Sequence, residues 1–207
     1  MTPREFSDQV DALCRVCRDF GNRGWCMATS GNFSARVGDG LCLITRSGRD
    51  KSQLSGEDLM LCKLDGTPVE SDATPSAETP LHTMLYSLDD DVGAVLHTHS
   101  VDSTLLSIHC GEVLSVTGFE MQKALSGIES HESQVNVAVF DNDQDMERLA
   151  GKVASAWRDG KFRVPGFLIA GHGLYAWGEN IAEARRHVEG FEFLFACVRE
   201  QEKFRTP

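Results

Sequence analysis

The stretch Val92-Gly93-Ala94-Val95-Leu96-His97-Thr98-His99 decides how the chain is read, because it joins an apolar run to two histidines one residue apart. Residues 92–97 read as a buried strand, and residues 101–109 as a short helix after it. Side chains two apart on a strand project to the same face, so His97 and His99 can reach one point at the strand's end. Upstream, Thr2-Pro3-Arg4-Glu5 is a capping box with proline at the first helical position. Phe6, Val10, Leu13, Cys17 and Phe20 then recur at helical spacing until Gly21. Residues 33–37 and 41–45 are short strands joined by Gly38-Asp39-Gly40, and residues 59–64 run into the Asp65-Gly66 turn before Val69. Residues 76–88 read as a helix, with Pro80 tolerated in its first turn. Downstream, residues 134–140 alternate as a strand, and residues 143–159 form an amphipathic helix with Met146, Leu149, Val153 and Trp157 on one face. Residues 167–170 and 174–177 are strands flanking Gly171-His172-Gly173. Asn180 caps a last helix, with Glu183 completing its box and Ile181, Ala184, Val188, Phe191 and Phe195 on its apolar side. With helices at both ends, hairpins early and single strands late, the expectation is a single α/β domain over residues 1–207 with a mixed, largely antiparallel sheet.

The 207 residues carry 20 basic and 31 acidic side chains, a net charge of −11. That balance excludes a generic polyanion binder, so neither nucleic acid nor a membrane surface is expected as a partner. A hydrophobic fraction of 41 % is ordinary globular usage, and a chain this long builds a core without disulfides or a metal. Any metal here therefore has a task beyond holding the fold. The seven cysteines are odd in number and scattered, as expected of reduced thiols in a cytoplasmic protein. Cys14 and Cys17 form a C-x-x-C, but it falls inside a helical pattern with no second pair. No signal-peptide pattern and no run of about 18 apolar residues is visible.

An isolated His-x-His more often caps a strand than binds a metal. His172, set between two glycines after an apolar run, shifts the balance, because three neutral imidazoles with an open fourth position are a pattern of catalytic zinc. Histidine ligands also suit iron, cobalt, nickel and manganese. His82, His109, His131 and His187 lack such a context and are expected on surfaces or helix faces. Thr29-Ser30-Gly31-Asn32 and Thr45-Arg46-Ser47-Gly48 place hydroxyls and permissive backbone beside strands, and Arg49 and Lys51 follow the second loop. Such loops are ordinary turns one at a time. Two of them together with Pro75-Ser76-Ala77-Glu78, a hydroxyl at a helix start, suggest an anion site.

In order, Ser-Gly-Asn-Phe-Ser at 30–34, Thr-x-Ser-Gly at 45–48, Ser-Ala-Glu at 76–78, His-Thr-His-Ser at 97–100 and Gly-His-Gly at 171–173 resemble the class II aldolase and adducin superfamily from about residue 25 to residue 178. The runs Ser47-Gly48-Arg49-Asp50-Lys51-Ser52 and Gly118-Phe119-Glu120-Met121 most resemble its dehydratases of methionine salvage, which act on a methylthio-substituted ketopentose 1-phosphate. Arg46 stands where the aldolase loop tends to carry proline. The resemblance implies a three-layer α/β/α sandwich and a homotetramer with interfacial active sites. It also implies one Zn2+ per subunit on His97, His99 and His172, with Glu78 as a metal ligand or acid/base. Gly31, Asn32, Thr45, Ser47, Gly48 and Ser76 match phosphate-binding positions, Lys51 is placed with them, and Glu120 matches the dehydratase acid/base. Phe119, Met121 and the aromatic-rich C-terminal helix are candidates for an apolar wall. An aldolase or epimerase of the family would share zinc and phosphate loops, differing in where its acid/base sits. A non-enzymatic adducin-like module would hold no stoichiometric zinc.

Overall fold

In the computed structural model, residues 2–38, 40–69 and 74–205 are described, so Asp39 of the expected Gly38-Asp39-Gly40 turn lies outside the described residues. The Thr2 amide donates to the Glu5 carboxylate at 2.9 Å, and the box opens on a 3-10 turn, Pro3–Phe6, that leads into helix α1, Ser7–Asn22. Three strands follow: β1 (Asn32–Gly38), β2 (Leu41–Thr45) and β3 (Leu59–Lys63). Helix α2 (Thr79–Leu88), strand β4 (Ala94–Thr98), helix α3 (Val101–His109) and strand β5 (Val113–Val116) come next. Strand β6 (Val135–Phe140), helix α4 (Met146–Arg158), strands β7 (Gly166–Ile169) and β8 (Gly173–Gly178) and helix α5 (Ile181–Arg205) complete the order.

The eight strands form one sheet in the order β3-β2-β1-β4-β8-β7-β6-β5. Every neighbouring pair is antiparallel except β6 and β7. Alternation along the strands splits the interior into two cores. Leu96 and Leu174 lie in one with Leu13 and Phe20 of α1 and Phe191 and Phe195 of α5. Val95 and Tyr175 lie in the other with Leu81 and Leu85 of α2 and Leu149 and Val153 of α4. Helices therefore cover both faces of the sheet, the α/β/α sandwich expected from the motifs. Among the described residues no helix is long and apolar enough to cross a membrane.

The structure departs from the sequence reading in two places. Strand β5 had no forecast, because four residues with Val113 and Ser115 exposed and Leu114 and Val116 buried are too few to display a period. Helix α2 begins at Thr79 rather than at residue 76: the Ser76 carbonyl accepts from the Thr79 amide and hydroxyl, so Ser76 and Glu78 stand in the turn before it.

Sheet closure at the histidines depends on one small residue. A Cβ on Gly173 would meet the Thr98 carbonyl oxygen at 2.0 Å. Gly173→Ala is expected to destabilise the fold by about 3 kcal/mol, the scale of core overpacking. Gly151→Ala, at an exposed position of α4 where a Cβ meets nothing within 4 Å, is expected to stabilise it by about 0.5–1 kcal/mol. Urea titration of the two variants checks both signs.

Candidate active site

Pairing of β4 with β8 opposes Thr98 to Leu174, and this brings His97 and His99 to the turn that carries His172. His97 is fully buried; its Nδ1 donates to the Leu174 carbonyl at 2.9 Å, which leaves Nε2 with a bare lone pair. That Nε2 lies 3.3 Å from His172 Nε2 and 3.2 Å from Glu78 Oε2, and His172 Nε2 lies 3.0 Å from Glu78 Oε1. The His99 ring centroid is 4.4 Å from that of His97 and 4.6 Å from that of His172. One donor atom from each of Glu78, His97, His99 and His172 can be chosen so that all four lie within 4.8 Å of one another. Helix α3 grips the turn from behind: Thr104 Oγ1 donates to the His172 carbonyl at 3.0 Å, and Ser107 Oγ accepts from the Gly171 amide at 3.0 Å.

Three imidazoles and a carboxylate converging on one point are a donor set suited to a divalent ion. Burial pushes the His97 ring well below its ordinary range and His99 down to about 4, so both are neutral near neutral pH, the form that ligates. Burial opposes a charge on Glu78 as well. There the His97 and His172 rings and the Asn32 amide more than offset it and hold the carboxyl well below the usual range. Tyr175, stacked on His97 with centroids 4.0 Å apart, donates its hydroxyl to Glu78 Oε2 at 2.8 Å.

Beside this cluster lies a cavity of about 270 Å3 whose walls include all seven expected anion residues, Gly31, Asn32, Thr45, Ser47, Gly48, Lys51 and Ser76, together with Glu78 and His99. Gly31 is required there twice over: its φ is 75°, and a Cβ would meet the His97 carbonyl oxygen at 2.7 Å. Lys51 is buried, its Nζ donating to the carbonyls of Thr29 at 3.0 Å and Arg49 at 2.8 Å, both neutral acceptors. Larger grooves, of about 870 and 640 Å3, lie away from the histidines, so it is chemistry rather than size that marks the site.

Three expectations are corrected or sharpened. Asn32 lines the cavity, but its amide is engaged within the protein: Nδ2 donates to Glu78 Oε2 at 2.6 Å and Oδ1 faces His82 Nε2 at 2.5 Å. Of the two places expected for His82 and His187, it is the helix face and not the surface that holds: both are buried, on the inward faces of α2 and α5, where packing against the sheet overrides their polarity. Glu120 lies in a 3-10 turn, Glu120–Ala124, just after β5. The registers of β8, β7, β6 and β5 place the end of β5 at the opposite end of the sheet from Gly173, and the Glu120 side chain is 70 % exposed, paired with Lys123 at 2.6 Å and His131 at 3.3 Å. One chain alone does not bring Glu120 to the histidines. Tyr175 and His82 were missed as site residues, since an aromatic in a strand and a histidine on a helix carry no local signal.

The model of the class II aldolase and adducin N-terminal domain matches residues 11–198, and the chain belongs to that family. It is 50 % identical over 197 residues to a methylthioribulose-1-phosphate dehydratase of Yersinia pestis (strain Pestoides F), covering 95 % of this chain and 88 % of that one. A protein of the same name from Pectobacterium carotovorum subsp. carotovorum (strain PC1) is 50 % identical over 192 residues, 92 % and 93 % of the two chains. Among solved structures, L-fuculose-1-phosphate aldolase from Thermus thermophilus superposes with a TM-score of 0.78 at 28 % identity, covering 96 % of both chains.

Burial of neutral histidines has a sign in pH. His82 and His99 drop to about 4 and His97 lower still, against 6.5 when exposed, so the unfolded chain binds more protons between pH 6.5 and 4. Stability from these groups is present above that window and lost as pH falls through it. Glu192, raised to about 7 by burial, slopes the other way but is one group against three. The unfolding free energy of the metal-free protein is expected to fall by several kcal/mol between neutral pH and pH 4; a flat profile in urea titrations would contradict the buried neutral state.

Proposed function

We propose that the chain dehydrates 5-methylthioribulose 1-phosphate to 5-methylthio-2,3-diketopentyl 1-phosphate, a hydro-lyase step of methionine salvage. The observation that carries this is 50 % identity to a dehydratase of that substrate across 95 % of the chain. The converging histidines and carboxylate support it as the place of the chemistry. His97, His99 and His172 would hold one Zn2+ per subunit, with Glu78 as a further donor, and zinc when bound supplies Lewis-acid polarisation of the substrate's ketone and adjacent hydroxyl.

The chain's own groups perform the rest. The phosphate takes the cavity beside His99, where the Gly31 and Gly48 backbone and the hydroxyls of Ser47 and Ser76 offer donors. Thr45 Oγ1 already accepts from the Phe33 amide at 3.2 Å, so its own O–H is left to donate. Lys51 supplies local positive charge in an otherwise acidic protein. Asn32 keeps one Nδ2 proton for the substrate while the other holds Glu78. Glu120 removes the proton from the third carbon and, once protonated, passes a proton to the fourth-carbon hydroxyl as it leaves as water; the resulting enol tautomerises, its hydroxyl proton lost and the fourth carbon protonated, to the diketone. Because Glu120 stands across the sheet from its own histidines, it serves the site of a neighbouring subunit in a homotetramer, and Phe119 and Met121 beside it present apolar surface to the methylthio group. The buried thiols, raised in pKa by desolvation, suit a reducing cytoplasm.

Zinc-loaded protein incubated with 5-methylthioribulose 1-phosphate is expected to give a product lighter by one water. Glu120→Gln should stop the loss. Mixing Glu120→Gln chains with His99→Ala chains should restore activity at about a quarter of sites, each assembled from two subunits. No water loss would overturn the reading. Release of a triose phosphate would move it to the aldolases, with Glu78 as the acting carboxylate, a second reading favoured by Glu78 being the one carboxylate among the converging donors.

A further inference from the structure

Glu78 is held in place by a chain of hydrogen bonds that runs back into the protein interior. An ionised carboxylate only accepts, so Asn32 must present Nδ2 to Glu78 Oε2 and turn Oδ1 toward His82. The atom facing that Oδ1 is His82 Nε2 at 2.5 Å, which must therefore carry the hydrogen. His82 Nδ1 is then an acceptor, taking the Ser34 hydroxyl proton at 2.7 Å, and Ser34 Oγ in turn accepts from the Tyr86 hydroxyl at 2.7 Å. Ser34, His82 and Tyr86 are buried, so solvent does not compete for these bonds. Asn32 and Ser34 are two apart on β1 and share a face, and His82 stands one helical turn beyond Glu78 on α2. His97 uses the opposite tautomer, with the hydrogen on Nδ1.

We infer that His82 is a positioning residue for Glu78: by donating Nε2–H to Asn32 it decides which end of that amide faces the carboxylate. Without this donor the amide is free to turn its carbonyl toward Glu78, and repulsion between the two oxygens swings the carboxylate off His97 and His172. Because Gly31 and Asn32 also line the anion cavity, the same bond ties the metal-facing carboxylate to the loop beside it. This inference rests on the reading of Glu78 and the three histidines as holding a divalent ion, and its test does not require the substrate.

Two measurements on the zinc-loaded protein decide it. In 15N NMR of the histidine rings at about pH 7, His82, assigned by the signal lost in His82→Gln, should be the neutral Nε2–H tautomer. An Nδ1–H tautomer or an imidazolium would overturn the inference. In chelator competition without substrate, His82→Leu should weaken zinc binding by about 10–100-fold, the usual effect of losing a partner behind a ligand. His82→Gln, whose amide nitrogen supplies a donor to the same oxygen, should recover most of it. Equal losses in both variants, or none in either, would contradict a positioning role. If His82→Leu does not fold, the tautomer and the His82→Gln affinity still decide. Zinc bound in this pattern by a protein that removes no water would leave the inference standing and the proposed reaction refuted.

Discussion

Glu78 carries a negative charge into a pocket lined by His97, His99 and His172, two of which burial keeps neutral, and much of the architecture around it serves to hold that charge. A carboxylate placed there without partners would be expensive, because burial favours its neutral form. Tyr175 and Asn32 both donate to Oε2, leaving Oε1 for His172. The result is a set of donors suited to a divalent cation, in a protein frame that fixes their positions.

That frame comes from strand pairing rather than from the loops themselves. His97 and His172 are far apart in the chain, and it is the antiparallel match of β4 to β8, with Thr98 opposite Leu174, that makes them neighbours. Glycine at 173 lets the β8 backbone approach Thr98, and α3 fastens the turn through Thr104 and Ser107. The cavity beside the histidines is built in the same way: β1 and the turn before it deliver Asn32 and Gly31 beside Thr45 of β2, while the turn before α2 delivers Ser76 and Glu78. Rigid elements hold the groups, and short connections present them to the cavity.

Much of this was legible in the residues. The apolar run ending in His97-Thr98-His99 and the glycines around His172 both announce a strand end that displays a side chain, and the loops singled out by the ordered motifs meet in the walls of one cavity. What stayed hidden was lateral. Nothing local distinguishes Tyr175 from a core aromatic or His82 from a surface histidine, because their roles come from groups brought close by folding. Asn32 lines the cavity as its motif suggests, but that its amide also bridges Glu78 and His82 is something only the three-dimensional arrangement reveals. Glu120 illustrates the reverse case: its motif was recognisable, yet its distance from the histidines within one chain could be known only from the order of strands. The boundary of α2 shifted for a reason of the same kind, the Ser76 carbonyl being taken by Thr79 in a turn.

The proposed chemistry requires Glu78, His97, His99 and His172 to form one metal centre. X-ray absorption at the zinc edge of the protein purified with zinc tests this most directly. One zinc per chain is expected, in a shell of nitrogen and oxygen with the scattering signature of several imidazoles, diminished in His172→Ala. A shell containing sulfur, or a spectrum unchanged by His172→Ala, would contradict it.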